Sequence, residues 1–237
     1  MSIPINFESL HKFHIALREV IVLICRSKKE ELKCRTISNI YLKAALILLT
    51  SKFEAFLENV VSEYIFLLND NVTIELIPEI LKIHHTKELF EKFGAYFQKI
   101  CEEDKRKIIS DNMKDLALLW KDDVNAKPIQ ISNKFNFGKH GEKAINELFR
   151  RIGFNNVLDE IVIVKKIQTL DGEEEETIDF KAKVNELTHK RNTILHNDTS
   201  ITFTKEEIID YIKYLKQFSQ KLVDKLIESM ENCQTHI

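Results

Sequence analysis

Ile47-Leu48-Leu49-Thr50-Ser51-Lys52-Phe53-Glu54-Ala55-Phe56-Leu57 lies inside the longest unbroken apolar periodicity of the chain. Around it Ile40, Ala44, Val60, Val61, Tyr64 and Leu67 continue the three- and four-residue steps that place side chains on one side of a helix. The pattern predicts a helix from about Thr36 to Leu68, which at ~1.5 Å per residue would span roughly 50 Å. A helix of that length is the spine of a bundle.

On the N-terminal side, Phe7, Leu10, Phe13, Leu17, Val20, Ile21 and Ile24 mark an earlier amphipathic helix, and Arg26-Ser27-Lys28-Lys29 reads as a basic turn after it. On the C-terminal side, Pro78 suits the first turn of a short helix to about Ile83. Amphipathic stretches follow near Lys87 to Cys101 and Lys105 to Trp120. Asp122 to Gly141 reads as a long ordered loop, and Glu142 to Ile152 as a helix closed by Gly153 at C′. Asp171-Gly172, followed by Glu173 to Glu176, is an acidic turn between two short strands. A helix from about Ile178 to His196 comes next. Thr204-Lys205-Glu206-Glu207 is a capping box that opens the last helix, carrying Ile208, Ile212, Leu215, Leu222 and Leu226 to near Met230. The short connection Asn197 to Phe203 makes these last two helices antiparallel neighbours. No internal repeat and no linker divides the chain. The expected fold class is all-α, an up-and-down helical bundle forming one domain over residues 1–237. Residues 70–141 are expected to form a helical and loop insertion between the long second helix and the penultimate one.

Composition agrees. The chain holds 237 residues with only five Gly and three Pro, too few turn-formers for a β-rich fold of this size. Hydrophobic residues make up 44% and charged residues 30%, as in an ordinary globular protein. The formal net charge of −2 supplies no global basic field of the kind that wraps duplex DNA, and leaves room for a local basic cluster on a few phosphates. Cys25, Cys34, Cys101 and Cys233 form no C-x-x-C pair, so reduced thiols in a cytoplasmic protein are expected. The first residues carry no secretory pattern, and Val20 to Cys25 and Ala44 to Thr50 are far shorter than a membrane span.

One helix carries an inconsistency. With Val184 at zero on a helical wheel, Phe180, Leu187, Ile194 and Leu195 fall between about 280° and 20°, an apolar stripe. Arg191 lies at about 340° in the middle of that stripe, with Asn192 and His196 one turn apart on its flank. A guanidinium set among apolar side chains is costly unless it is paired or opens onto a cleft. It can snorkel, pair with a carboxylate such as Glu54 or Glu58 on the long helix, or serve a site.

Arg191-Asn192-Thr193-Ile194-Leu195-His196 resembles the R-x4-H motif of the HEPN superfamily, including the frequent Asn after the Arg, and it stands where the family places it, before the last long helix. The stretch from Ile47 to Leu57 quoted above resembles a prokaryotic subgroup of HEPN-like ribonucleases of the conflict, defence or toxin type. So does Asn136-Phe137-Gly138-Lys139-His140-Gly141-Glu142-Lys143-Ala144-Ile145-Asn146-Glu147-Leu148-Phe149. Together these stretches run from the second helix to the end of the chain.

The resemblance implies a HEPN-like bundle and RNA cleavage that needs no metal and no cofactor. Arg191, His196 and Asn192 are the implied catalytic residues, with Lys190 and Glu54 as supporting or substrate-binding groups. The residue chemistry suits that reaction. Histidine exchanges protons near neutrality, and arginine grips non-bridging phosphate oxygens with paired N–H groups. One His per chain is one proton shuttle, so the resemblance also implies a homodimer with a composite site, and an antitoxin or defence-system protein as partner. Lys139, Lys181, Lys183 and Lys190 cluster near the motif in sequence. His84-His85, His11 with His14, and Glu173 to Glu176 make poor metal sites, and no phosphate-binding loop or nucleophile elbow is present. The alternative reading is a non-catalytic HEPN bundle that binds RNA, a nucleotide or a protein partner.

Overall fold

The computed structural model describes residues 6–99, 102–136, 140–169, 172–197 and 203–235. Among these, α1 spans Glu8–Glu30, α2 Arg35–Asn71, α3 Glu79–Lys99, α4 Glu102–Leu119, α5 Glu142–Arg150, α6 Val157–Glu160, α7 Phe180–Asn197 and α8 Lys205–Thr235. Strands β1 (Ile163–Thr169) and β2 (Gly172–Ile178) form the only sheet among the described residues. The class is all-α, as the periodicity requires. Cys101, Lys139 and Asp171, singled out above, lie outside the described residues.

α2 is the spine. Its Leu46, Leu49, Leu57, Val60, Val61 and Leu68 are fully buried, and α1, α7 and α8 pack around it. Phe13 of α1 stacks on Phe56 with ring centroids 4.8 Å apart, and Phe53 of α2 meets Phe218 of α8 edge-on at 6.0 Å. The other side of Phe218 stacks on Phe180, which opens α7, at 4.5 Å. One aromatic seam therefore fixes the start of α7 against α2 and α8, a geometry worth more than its buried area alone. The far end of α1 is capped from α2: the backbone N–H groups of Glu8 and Ser9 donate to Glu63 Oε1 and Oε2 at 2.6 and 2.9 Å.

Several local readings hold in detail. Thr204 and Glu207 exchange the two bonds of a capping box: the Thr204 N–H donates to the Glu207 carboxylate at 2.7 Å, and the Glu207 N–H to Thr204 Oγ1 at 3.2 Å. Gly153, at φ +93°, ends α5 at the C′ position, with Phe154 N–H reaching Phe149 O and Gly153 N–H reaching Arg150 O. Residues 121–136 form an ordered loop whose backbone is stitched to the helices by side chains. Asn69 both donates to and accepts from Ile129 at 2.9 Å, and Glu58 accepts the Phe135 N–H at 3.0 Å. The hairpin pairs Lys165 with Glu176 and Lys166 with Glu175.

Four expectations need correction. Arg26 to Lys29 continue α1 rather than turning, because Ser27 is buried and bonds to Ser38 of α2 at 2.9 Å. Pro78 does open a helix, but α3 then runs unbroken to Lys99, since nothing in its sequence breaks it. Ile178 belongs to β2, and α7 begins only after Asp179, whose carboxylate accepts the Ala182 N–H at 2.9 Å as an N-cap. Leu195 is exposed rather than part of the core stripe, because α7 leaves the bundle surface in its last turn.

Candidate functional site

Three ends meet at one pole of the bundle. Lys205, at the start of α8, pairs with Glu31, just past α1, at 3.0 Å, and Lys190 near the end of α7 reaches Glu207 of α8 at 2.7 Å. Arg191, Asn192 and His196 sit at this pole on the last two turns of α7. Phe180, Val184 and Leu187 bury the earlier turns, and Ile194 is half-buried.

Arg191 is half-buried and pairs with neither Glu54 nor Glu58. Its guanidinium donates to Asn192 Oδ1 at 2.8 Å, while its Nε–H is buried with no acceptor. No carboxylate lies within ion-pair distance of it among the described residues. Asn192 thus holds the arginine rather than the imidazole. His196 is exposed one turn further on. A buried guanidinium donor without an acceptor is a cost, and an incoming anion is what removes it.

Lys190 is placed differently. Only 11% of its side chain is exposed, and its Nζ donates to Glu186 at 2.6 Å, Glu207 at 2.7 Å and Tyr211 Oη at 3.2 Å. Burial lowers the affinity of this amine for its proton, but the bonds from Glu186, Glu207 and Tyr211 outweigh it and raise the pKa well above the lysine range. Burial likewise pushes Glu186 upward, and bonds from Lys183, Lys190 and Tyr211 override it to hold the carboxyl at about 2. Lys183 is part of this network, bonded to Glu186 at 2.8 Å, and Lys181 is bonded to Glu142 at 2.8 Å. The basic cluster near the motif is therefore largely neutralised by its own carboxylates.

Glu54 is engaged by a residue to which the sequence reading assigned no role. Its Oε1 lies 2.7 Å from His140 Nδ1, and the pair sits in a narrow crevice beside Thr188 of α7. His140 precedes Gly141, which takes φ +78° at the start of α5. A Cβ there would stand 3.0 Å from Asn185 Oδ1, so the glycine lets α5 approach α7 closely. The only sequence signal for His140 was its presence in the stretch from Asn136 to Phe149.

A long apolar α2 flanked by α1, α7 and α8, with an Arg-x4-His segment ending α7, is the bundle of the HEPN superfamily. Within it the chain belongs to the RiboL-PSP-HEPN family, whose model matches residues 20–228. No curated protein and no solved structure matches the chain. No helix among the described residues is long and apolar enough to cross a membrane.

Proposed function

We propose that the protein is a metal-independent endoribonuclease, acting as a toxin or antiviral defence effector, with Arg191, Asn192 and His196 at its site. The observation that carries this reading is the Arg191 guanidinium, held by Asn192 with an unanswered buried Nε–H and no carboxylate beside it. Membership of a HEPN family supports it. In the proposed reaction the RNA 2′-oxygen attacks the adjacent phosphorus and the P–O5′ bond breaks. The 2′-OH proton leaves to a base and the departing 5′ oxygen gains a proton, giving a 2′,3′-cyclic phosphate and a 5′-OH. His196 serves one of these transfers and Arg191 steadies the charge that builds on the non-bridging oxygens. Lys190 and Glu54 support the site by fixing α7 and the neighbouring His140.

One histidine per chain serves one transfer, and two motifs brought together in a homodimer serve both. Apolar groups left exposed support such an association: Ile37 and Ile40 near the start of α2, and Leu195 beside the motif. Residues 70–141 are read as an insertion into this bundle, with α3 and α4 packed on each other.

The test is incubation of the purified chain with labelled single-stranded RNA in EDTA. Cleavage leaving cyclic phosphate ends is expected, with His196→Ala and Arg191→Ala each slowing it by about 10²-fold or more while the fold is retained. Full activity of either variant sinks the assignment, and RNA binding without cleavage supports a non-catalytic bundle instead.

A further inference from the structure

α5 presents Lys143, Asn146, Glu147 and Arg150 at three- and four-residue spacing, so they share one face of the helix. That face floors an open cleft of about 740 Å³ that also takes in His140 and Asn156. Its acids are occupied. Glu142 pairs with Lys181 at 2.8 Å, and Glu147 accepts from Asn136 at 2.6 Å. Lys143 and Arg150 have no carboxylate within ion-pair distance among the described residues.

Asn146 is a second anomaly. It is only 7% exposed, and its carboxamide oxygen has no hydrogen-bond donor, a cost that a core position would ordinarily avoid by carrying an apolar residue. Asn146 Oδ1 and Arg191 Nε are two of three such orphaned side-chain atoms among the described residues. His140 closes the cleft on the α7 side. Its Nδ1 is committed to Glu54, which leaves Nε2 as the nitrogen available to a ligand. Beside it stands Thr188, one turn before Asn192, and the same side of α7 continues to His196. From Thr188 to His196 is ~12 Å along the helix axis, within the reach of a short strand.

We propose that this cleft is a ribonucleotide subsite, holding the RNA strand to one side of the phosphate bound by Arg191. Lys143 and Arg150 take a phosphate of the strand, the Asn146 carboxamide accepts from a ribose hydroxyl or a base amino group, and His140, held by Glu54, closes the cleft over that nucleotide. The inference rests on the reading of RNA as substrate.

The test uses the full chain carrying His196→Ala, in EDTA, with fluorescence anisotropy on a short labelled single-stranded RNA. Lys143→Ala with Arg150→Ala is expected to weaken binding about tenfold. The same pair should lower the slope of log affinity against log salt by roughly 1.4, about 0.7 for each phosphate charge lost on a single strand. Asn146→Ala is expected to weaken binding several-fold and leave that slope unchanged, because it removes a neutral contact. Both lysine and arginine positions are at the surface, so their variant reports on binding even if the Asn146 variant folds poorly. A ribonucleoside monophosphate is the second probe. Weaker binding than the oligomer, lost in the same double variant, supports the strand, whereas equal binding overturns it in favour of a free nucleotide. Unchanged affinity and slope in the double variant overturn the subsite. Cleavage by the His196→Ala chain would instead overturn the nuclease assignment, and leaves the binding comparison readable.

Discussion

Lys190 and Arg191 are neighbours on α7, yet the two sides of the helix treat their charges in opposite ways. Towards α8, Lys190 is enclosed by Glu186, Glu207 and Tyr211, every bond short and both carboxyls held low by it. Towards the open pole, Arg191 receives one neutral oxygen from Asn192 and keeps a buried N–H unanswered. A closed network that meets its own charge stabilises a helix end. A cation left short of acceptors does not, and it stays available to something brought from outside. The difference separates what anchors the motif from what the motif is for.

The comparison is broken most sharply at Arg191. Arg191→Lys keeps the positive charge and removes the planar fork that lets a guanidinium hold Asn192 and a phosphate together. RNA cleavage is expected to fall by about tenfold or more, with the melting temperature shifting by no more than a change of about 0.5 kcal/mol produces. A lysine variant that cleaves like the parent shows that charge alone suffices at this position, and the contrast with Lys190 then loses its meaning.

Lys190→Met gives the converse. It leaves Glu186 and Glu207 facing each other without their shared donor. An expected cost of roughly 1–3 kcal/mol allows for the partial exposure of both carboxylates. That corresponds to a fall of several degrees in melting temperature for a chain of this size, at about 2–4 °C per kcal/mol. The network also sets an acid limit. Glu186 titrates near 2 in the folded chain and about 4.3 unfolded, so its contribution is full above about pH 4.3 and is lost as pH falls through about 2. Melting followed from pH 6 to about 2 should show this loss in the parent and a smaller one in the methionine variant. An equal loss in both assigns the acid sensitivity to other carboxylates.

How much of this was legible in the sequence differs between the two sides. The long α2, the pairing of α7 with α8 and the Thr204–Glu207 box follow from periodicity and capping, which are local and repeat every turn. Arg191 stood out because it violates that periodicity. What could not be read was which carboxylate serves which cation. Glu54 pairs with His140 across 86 positions of sequence, and Glu58 is spent on Lys134 and the Phe135 N–H. Such choices depend on where a 20-residue loop returns to the bundle, and no period encodes that. Leu195 misled for a related reason: a wheel assumes that a helix stays packed to its last turn, whereas α7 emerges before it ends.

The smallest expected effect concerns Glu207, which serves both purposes at once by capping α8 and accepting from Lys190. Thr204→Ala removes only the hydroxyl that receives the Glu207 N–H at 3.2 Å and leaves the carboxylate and its bond to Lys190 in place. An exposed N-cap of this kind is worth about 0.5–1 kcal/mol, so the variant should melt a few degrees lower. If the cap and the Lys190 network were one unit, removing the hydroxyl would let Glu207 drift, and the loss would approach that of Lys190→Met. A double variant with Lys190→Met distinguishes these cases: losses that add mean two independent fastenings of α8 to α7, and losses that do not add mean one. Independent fastenings are the expected result, because the Glu207 backbone is set by the first turn of α8 while its carboxylate is set by Lys190.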